Sequence, residues 1–426
     1  MVEAASLEAW LHLLEHRHPR TIDLGLPRVR RVAERLGLLP FPARVITVAG
    51  TNGKGTVTHC AAALARAGGW RVGAYTSPHL LRFNERIAID GAPCSDAALV
   101  AAFEAIEAAR GDVGLSYFET ATLAALWLFR RERVAVAVLE VGLGGRLDAV
   151  NIVDADVAVI TRIGLDHQAW LGATAEAIAV EKAGVARAGR PVVLAEDAYP
   201  ASLEPALRAA GAQILRQGRD WRWYRRGGEL TLRGPGAASL ALLPPAGLEA
   251  SNVAAAIAAV QLLLPLPAGL AEAALSGLVI AGRRQRLRYG AGELWLDVAH
   301  NPQAAAGLAA ALRTESGPGW HGLCGMMADK DAAGIFAALA PALASLQVCS
   351  LPAVARAAGA AGLARSAADA GVAAVAVHGD PGSAWRSLAA QLRRGHRGVV
   401  FGSFHTVGAI LAALAPRRED RDSAHG

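Results

Sequence analysis

With 426 residues, 53% hydrophobic and 19% charged side chains, and a formal net charge of +6, the chain is long enough for two or three domains with full cores. The composition excludes a low-complexity arm. The basic runs Arg222–Arg226 and Arg283–Arg288 are short and match no nucleic-acid reader, so small anionic substrates are expected and nucleic acid is not. Met1–Arg20 has the helical spacing of Leu7, Trp10, Leu11 and Leu14, and lacks the basic start and apolar run of a signal peptide. No stretch reads as a transmembrane helix. Cys60, Cys94, Cys324 and Cys349 form no CxxC pair, which fits reduced thiols and a cytoplasmic chain.

In chain order, a β-branched strand at 44–48 leads into Ala49-Gly-Thr-Asn-Gly-Lys-Gly-Thr56 and a helix over 57–67. Continuous apolar strands follow at 134–139, ending beside Glu140, at 157–160, ahead of Asp166-His167, and at 191–194, after a helix opened by Thr174. Alternation of such strands with helices predicts an α/β fold with a mostly parallel sheet covered on both faces. Residues 219–250 read as hairpins and 252–264 as a helix. The arginine-rich segment 282–287 reads as an interdomain linker without periodicity. Strands near 294–297, 322–324, 346–350, 372–377 and 398–401 predict a second, Rossmann-like α/β domain. The expected organisation is an N-terminal nucleotide-binding domain over 1–284, a C-terminal domain over 285–416 and a disordered tail over 417–426.

A glycine loop between a strand and a helix brings backbone N–H groups and the positive end of the helix dipole to a phosphate. Here Gly50, Gly53 and Gly55 form the loop, Lys54 is placed for β- and γ-phosphates, and Thr56 offers a hydroxyl to magnesium. The spacing departs from the strict P-loop pattern. Lys54, Lys182 and Lys330 are the only lysines among 43 basic residues, and asparagine occurs only at 52, 84, 151, 252 and 301. In a chain so biased toward arginine, alanine and glycine, those survivors mark positions where no substitute works.

The string Gly50-Thr-Asn-Gly-Lys-Gly-Thr56 resembles the Mur ligase superfamily and, with glycine after the lysine, its folylpolyglutamate synthase branch. Tyr75-Thr-Ser-Pro-His-Leu80 with Arg82, Leu139-Glu-Val-Gly-Leu-Gly-Gly-Arg-Leu-Asp148, Asp166-His167, Glu181-Lys-Ala-Gly184, Gly282-Arg283, Asp297-Val-Ala-His-Asn-Pro302 and Gly402-Ser-Phe-His405 follow in family order. The resemblance implies an ATP- and Mg²⁺-dependent ligase that joins L-glutamate to dihydropteroate and to the γ-carboxylate of folates such as tetrahydrofolate, acting as a monomer. A monofunctional folylpolyglutamate synthase is the alternative. A peptidoglycan Mur ligase carries a UDP-binding domain ahead of its glycine loop, and 49 residues precede Gly50 here.

By the same resemblance, Gly53, Lys54, Gly55, Thr56, Asn252, Arg283, Asp297 and His300 contact the nucleotide. Thr56 and Ser77 ligate a first magnesium, and Glu140, His167 and a carbamylated Lys182 ligate a second. Lys54, His167, Lys182 and Arg283 are the catalytic set, and Ser403 lies on the glutamate side. Thr21, Ile22, Asp23, Arg82, Ser116, Tyr117, Phe118, Glu119, Leu147, Asp148 and Ala149 form the pterin and folate pocket. Phe118 offers a face to a flat heterocycle and Asp148 an acceptor to its N–H groups. The alternative for these two is a core aromatic and a helix cap; for Asn252 it is also a helix cap.

Overall fold

The computed structural model describes residues 6–18, 23–234 and 239–415, so Thr21, Ile22 and the tail 417–426 lie outside the described residues. The chain forms two compact units. One comprises residues up to His79 and Phe83–Leu278; the other comprises Leu80–Arg82 and residues from Val279 onward. The division thus falls at Leu278/Val279 rather than Arg284/Gln285, and a tripeptide containing Arg82 belongs to the second unit.

The first unit is built on an eight-stranded sheet: β1 (Arg44–Ala49), β2 (Val72–Tyr75), β3 (Ile87–Ile89), β4 (Ala92–Pro93), β5 (Val136–Glu140), β6 (Val157–Ile160), β7 (Pro191–Leu194) and β8 (Gln213–Arg216). The order is β4-β3-β2-β5-β1-β6-β7-β8, parallel from β2 to β8, with β3 and β4 an antiparallel edge. Successive side chains of a strand point to opposite faces. Val45, Ala137, Leu139 and Ile160 therefore enter one core, whereas Ile46, Val48, Val136 and Val138 enter the other. Burial on both faces explains why these strands read as unbroken apolar runs.

Helix Lys54–Ala67 packs against helix Ala250–Gln261, whose alanine-rich sequence permits close approach. The segment with hairpin character is an antiparallel sheet of β9 (Arg222–Arg226), β10 (Glu229–Arg233) and β11 (Ser239–Leu242). Leu230, Leu232, Leu240 and Leu242 face inward with Trp221.

In the second unit, β12 (Gln285–Tyr289), β13 (Gly292–Leu296), β14 (Trp320–Cys324), β15 (Leu343–Cys349), β16 (Val375–His378) and β17 (Arg397–Phe401) make a sheet of order β12-β13-β17-β14-β15-β16. All pairs are parallel except β12 with β13. The arginine-rich segment is therefore a strand from Gln285 onward, and only Gly282–Arg284 is irregular. Gln285, Leu287 and Tyr289 are half-buried while Arg286 and Arg288 face solvent, a period of two that its charge obscures.

Candidate active site

Parallel sheets present ligand-binding loops at the carboxyl ends of their strands, and here those ends are level. Glu140 ends β5 in register with Val48 of β1, and Tyr75 of β2 lies beside Leu139. The loop after β1 is pinned to the loop after β6: Thr161 N–H donates to Ala49 at 2.8 Å, and Thr51 exchanges hydrogen bonds with Gly164 at 3.0 and 3.1 Å. A Cβ on Gly50 would lie 1.8 Å from the Thr161 hydroxyl, so only glycine permits this approach. Gly53 has φ 97° and directly precedes the helix beginning at Lys54, with no side chain capping the first turn. The N–H groups of a helix's first turn have no intrahelical acceptor, which suits them to a phosphate.

Two ammonium groups meet at this loop. Lys54 Nζ donates to the carbonyls of Gly50 and Thr51, both at 3.2 Å, and Lys182 Nζ donates to Gly50 at 2.8 Å. Lys182 sits at the end of helix Ala175–Ala183 with 3% of its surface exposed. Burial, and next the charge of Lys54, bring its amine down to about 7; Asp166 and Asp148 oppose this. Asn252 lies inside helix Ala250–Gln261 rather than at its cap, with its amide against Gly53, where a Cβ would come within 2.4 Å of Oδ1.

Thr56 and Glu140 are buried, and Glu140 accepts from the Ser77 N–H at 3.2 Å. This set of hard oxygen donors suits a magnesium ion. The second set fits differently. His167 has φ 52°, its side chain is 42% exposed, and Nε2 lies 4.0 Å from Asp166 Oδ1. Lys182, as an ammonium, brings donors and a positive charge. Among the described residues no three His, Cys, Asp or Glu side chains converge on a cation position.

The structure brings the expected pterin strings together but employs several of their polar groups itself. Gly25 N–H donates to Leu147 at 3.2 Å, and Arg28 joins Asp23 at 3.0 Å to Glu119 at 3.1 Å. Ser116 and Glu119 form a reciprocal capping box on helix Tyr117–Arg131, which satisfies both side chains through the backbone. Asp148 is buried and caps the turn Ala149–Ile152, accepting from Leu143 at 2.8 Å and Val150 at 3.1 Å. Burial pushes its carboxyl up to about 6 against those donors. These carboxylates brace loops, and for Asp148 this is the cap that the sequence left open beside a pterin contact. Phe118 lies over Gly142, where a Cβ would come within 2.5 Å of the ring, and Tyr117 lies under the Arg86 guanidinium at 5.3 Å.

In the second unit Asp297 follows β13 and accepts from Arg284 at 3.0 Å and Ala299 at 2.8 Å; burial raises its pKa against the charges of Arg283 and Arg284. His300 Nδ1 lies 2.7 Å from the Val298 carbonyl. That oxygen only accepts, so Nδ1 carries the proton. Arg283 stacks on Phe404 at 5.3 Å. Ser403 caps helix Phe404–Leu414 and donates to Gly325 at 2.9 Å, so its hydroxyl braces the loop after β14.

The sequence reading missed Thr161, which fixes Gly50, and Arg187, which with Asn151 ties the loop after β5 to the Lys182 helix. The scarcity of asparagine is the signal that pointed to position 151.

The class is set by two family models: the Mur ligase middle domain matches residues 48–260, and the glutamate ligase domain of Mur ligases matches residues 282–404. The dihydrofolate synthase/folylpolyglutamate synthase of Escherichia coli (strain K12) is 38% identical over 433 residues, covering 97% of either chain. The structure of E. coli FolC in complex with DHPP and ADP matches with a TM-score of 0.91 at 38% identity, over 98% of this chain and 99% of that one. A bifunctional folylpolyglutamate synthase/dihydrofolate synthase with Mn, AMPPNP and L-glutamate bound matches with a TM-score of 0.88 at 42% identity, over 97% and 99%. The chain belongs to the dihydrofolate synthase/folylpolyglutamate synthase family of Mur ligases.

Proposed function

We infer that this chain catalyses ATP-dependent ligation of L-glutamate to dihydropteroate, giving dihydrofolate, and to the γ-carboxylate of folates. The observation that carries this reading, beside the family, is the assembly at one end of the first sheet: a glycine loop opening a helix, with Lys54, Lys182, Ser77 and Glu140 gathered around it. An acceptor carboxylate attacks the γ-phosphoryl group of ATP to give an acyl phosphate. The amine of glutamate then displaces phosphate. Neither step requires a protein nucleophile. The chain supplies charge neutralisation and alignment.

The N–H groups at the start of helix Lys54–Ala67 cradle the phosphates, and Lys54 leaves the carbonyls of Gly50 and Thr51 to meet them. Arg283, Asp297 and His300 are further candidate contacts to the nucleotide, and Asn252 serves the adenine. Thr56 and Ser77 are the residues that would hold a first divalent cation, which when bound offsets the charge of the phosphate oxygens. Lys182 joins Glu140 and His167 at a second ion only if its amine is carbamylated, which replaces a donor with anionic oxygens. An amine lowered to about 7 has a substantial unprotonated fraction at neutral pH, the form that adds CO₂. Phe118, backed by Gly142, is the aromatic surface for the pterin. Arg82 serves the glutamate portion of a folate substrate.

Within the same reading the chain works in the cytoplasm as a monomer on small molecules; its four cysteines are unpaired thiols, and among the described residues no helix is long and apolar enough to cross a membrane. The test is purified chain with ATP, Mg²⁺, L-glutamate and either dihydropteroate or tetrahydrofolate, with products identified by mass. Both substrates should gain glutamate with release of ADP. Extension of tetrahydrofolate alone would make the chain a monofunctional folylpolyglutamate synthase, and turnover of neither would overturn the reading.

A further inference from the structure

Lys182 reaches Gly50 only if helix Ala175–Ala183 ends where it does, and that end has an unusual seat. A Cβ on Gly145 would lie 2.8 Å from the Glu181 carbonyl and 3.1 Å from Lys182 Cα; one on Gly184 would lie 2.3 Å from Arg146 Cβ. Backbone therefore rests on backbone between the loop after β5 and the helix end. Arg146 N–H donates to Glu181 at 2.8 Å, and its guanidinium pairs with the Glu181 carboxylate at 2.8 Å.

Asn151 closes this contact. It is buried in the turn after Asp148, and its amide nitrogen donates to the carbonyls of Arg146 and Gly184, both at 3.0 Å. Its amide oxygen accepts from Arg187 Nη2 at 2.9 Å. Both N–H donors and the carbonyl are thus engaged, one to each side of the glycine contact. Arg187 in turn donates to the carbonyls of Asn151 at 3.0 Å, Gly184 at 3.3 Å and Ala186 at 3.1 Å, and pairs with Asp154. Hydrophobic packing alone lets backbone surfaces slide; five directed bonds to fixed carbonyls do not.

We propose that Asn151 and Arg187 are positioning residues of the ligase site, which lock the loop carrying Glu140 at its root to the helix end carrying Lys182 and so hold the Lys182 side chain against Gly50. This rests on the ligase reading above. Neither residue touches substrate in this role; each acts through Lys182.

The chain has three lysines, so amine labelling resolved by peptide mass reads Lys182 directly. Wild type, Asn151→Ala and the milder Arg187→Lys are compared in CO₂-depleted buffer with an N-hydroxysuccinimide ester, alongside kcat and KM for ATP and tetrahydrofolate and a thermal melt. Labelling of Lys182 should rise severalfold in the variants while Lys330 is unchanged. The kcat should fall roughly ten- to a hundredfold, the scale of a small misplacement of a reacting group, with KM for ATP within about threefold, and Arg187→Lys should retain more activity than Asn151→Ala. If Asn151→Ala does not fold, Arg187→Lys decides alone. A lowered melting temperature with Lys182 still protected and kcat unchanged would make both residues structural and overturn the proposal. If wild type lacks ligase activity, the labelling still decides whether the pair positions Lys182.

Discussion

Lys182 Nζ and the carbonyl oxygen of Gly50, 132 positions apart in the chain, are joined by a 2.8 Å hydrogen bond, and Lys54 Nζ donates to the same oxygen at 3.2 Å. Two ammonium groups on one carbonyl repel. Each gains from an anion placed between them, which is what a nucleotide phosphate or a carbamate provides.

Lys54→Ala should therefore leave the fold intact and remove catalysis. The side chain is half-buried and its Nζ donates to loop carbonyls rather than packing in the core, so the melting temperature should change little. Loss of one preorganised charge at a phosphoryl-transfer site costs about 10²–10³ in rate. Steady-state assays with ATP and tetrahydrofolate check this; a folded variant of near-normal kcat contradicts the phosphate role.

Carbamylation of Lys182 predicts that Lys182→Ala is inactive and partly rescued by short-chain carboxylates such as acetate, which restore anionic oxygens. Intact mass of an active preparation at ambient CO₂, or density at Lys182, settles the modification. An unmodified amine in a fully active sample refutes it.

The same lysine sets a pH dependence of stability in metal-free, CO₂-depleted protein. Its pKa falls from 10.5 unfolded to about 7 folded, so between those values the unfolded chain binds more protons and stability rises with pH. Below about 7 the folded chain buries a charged amine that the unfolded chain leaves in water, and the cost is at its maximum. Lys182→Met should therefore stabilise the chain most near pH 7 and progressively less toward pH 10. Melts of the two proteins across that window measure it, and a constant difference would show that Lys182 does not titrate there.

Asp148→Ala should reduce both ligation reactions alike. Its two oxygens hold Leu143 and Val150 N–H groups within the loop that follows Glu140, and loss of a carboxylate from buried donors costs about 1–3 kcal/mol for each donor left bare. Kinetics with dihydropteroate and tetrahydrofolate under the same ATP and Mg²⁺ distinguish this from a pterin contact, which would raise KM for dihydropteroate alone.

Gly50→Ala should abolish nucleotide binding while Gly189→Ala, at a surface turn with open space around it, should not. An alanine at 50 places carbon 1.8 Å from Thr161 Oγ1 at φ 148°, so the loop must shift. Binding of a fluorescent ATP analogue reads the difference, and equal affinities would show that the Gly50 approach is dispensable.

The glycine loop and the strand cores were legible in the sequence because their determinants are local. Seven consecutive residues carry the loop, and a strand buried on both faces must be apolar throughout. The scarcity of lysine and asparagine set apart Lys54, Lys182 and Asn252, and all three lie against the glycine loop. Tertiary structure alone decided which polar side chains face outward and which serve the backbone. Ser116, Glu119, Asp148 and Ser403 have the composition of ligand contacts and also cap backbone, because a buried N–H must find an acceptor and the nearest carboxylate or hydroxyl supplies it. It also decided that Gln285–Tyr289 pairs as a strand, since its exposed arginines mask an alternation that only the partner β13 makes visible. Lys182 reaches Gly50 across 132 residues because two glycines let backbone meet backbone, a fit that depends on the absence of side chains and so leaves no periodic trace in the sequence.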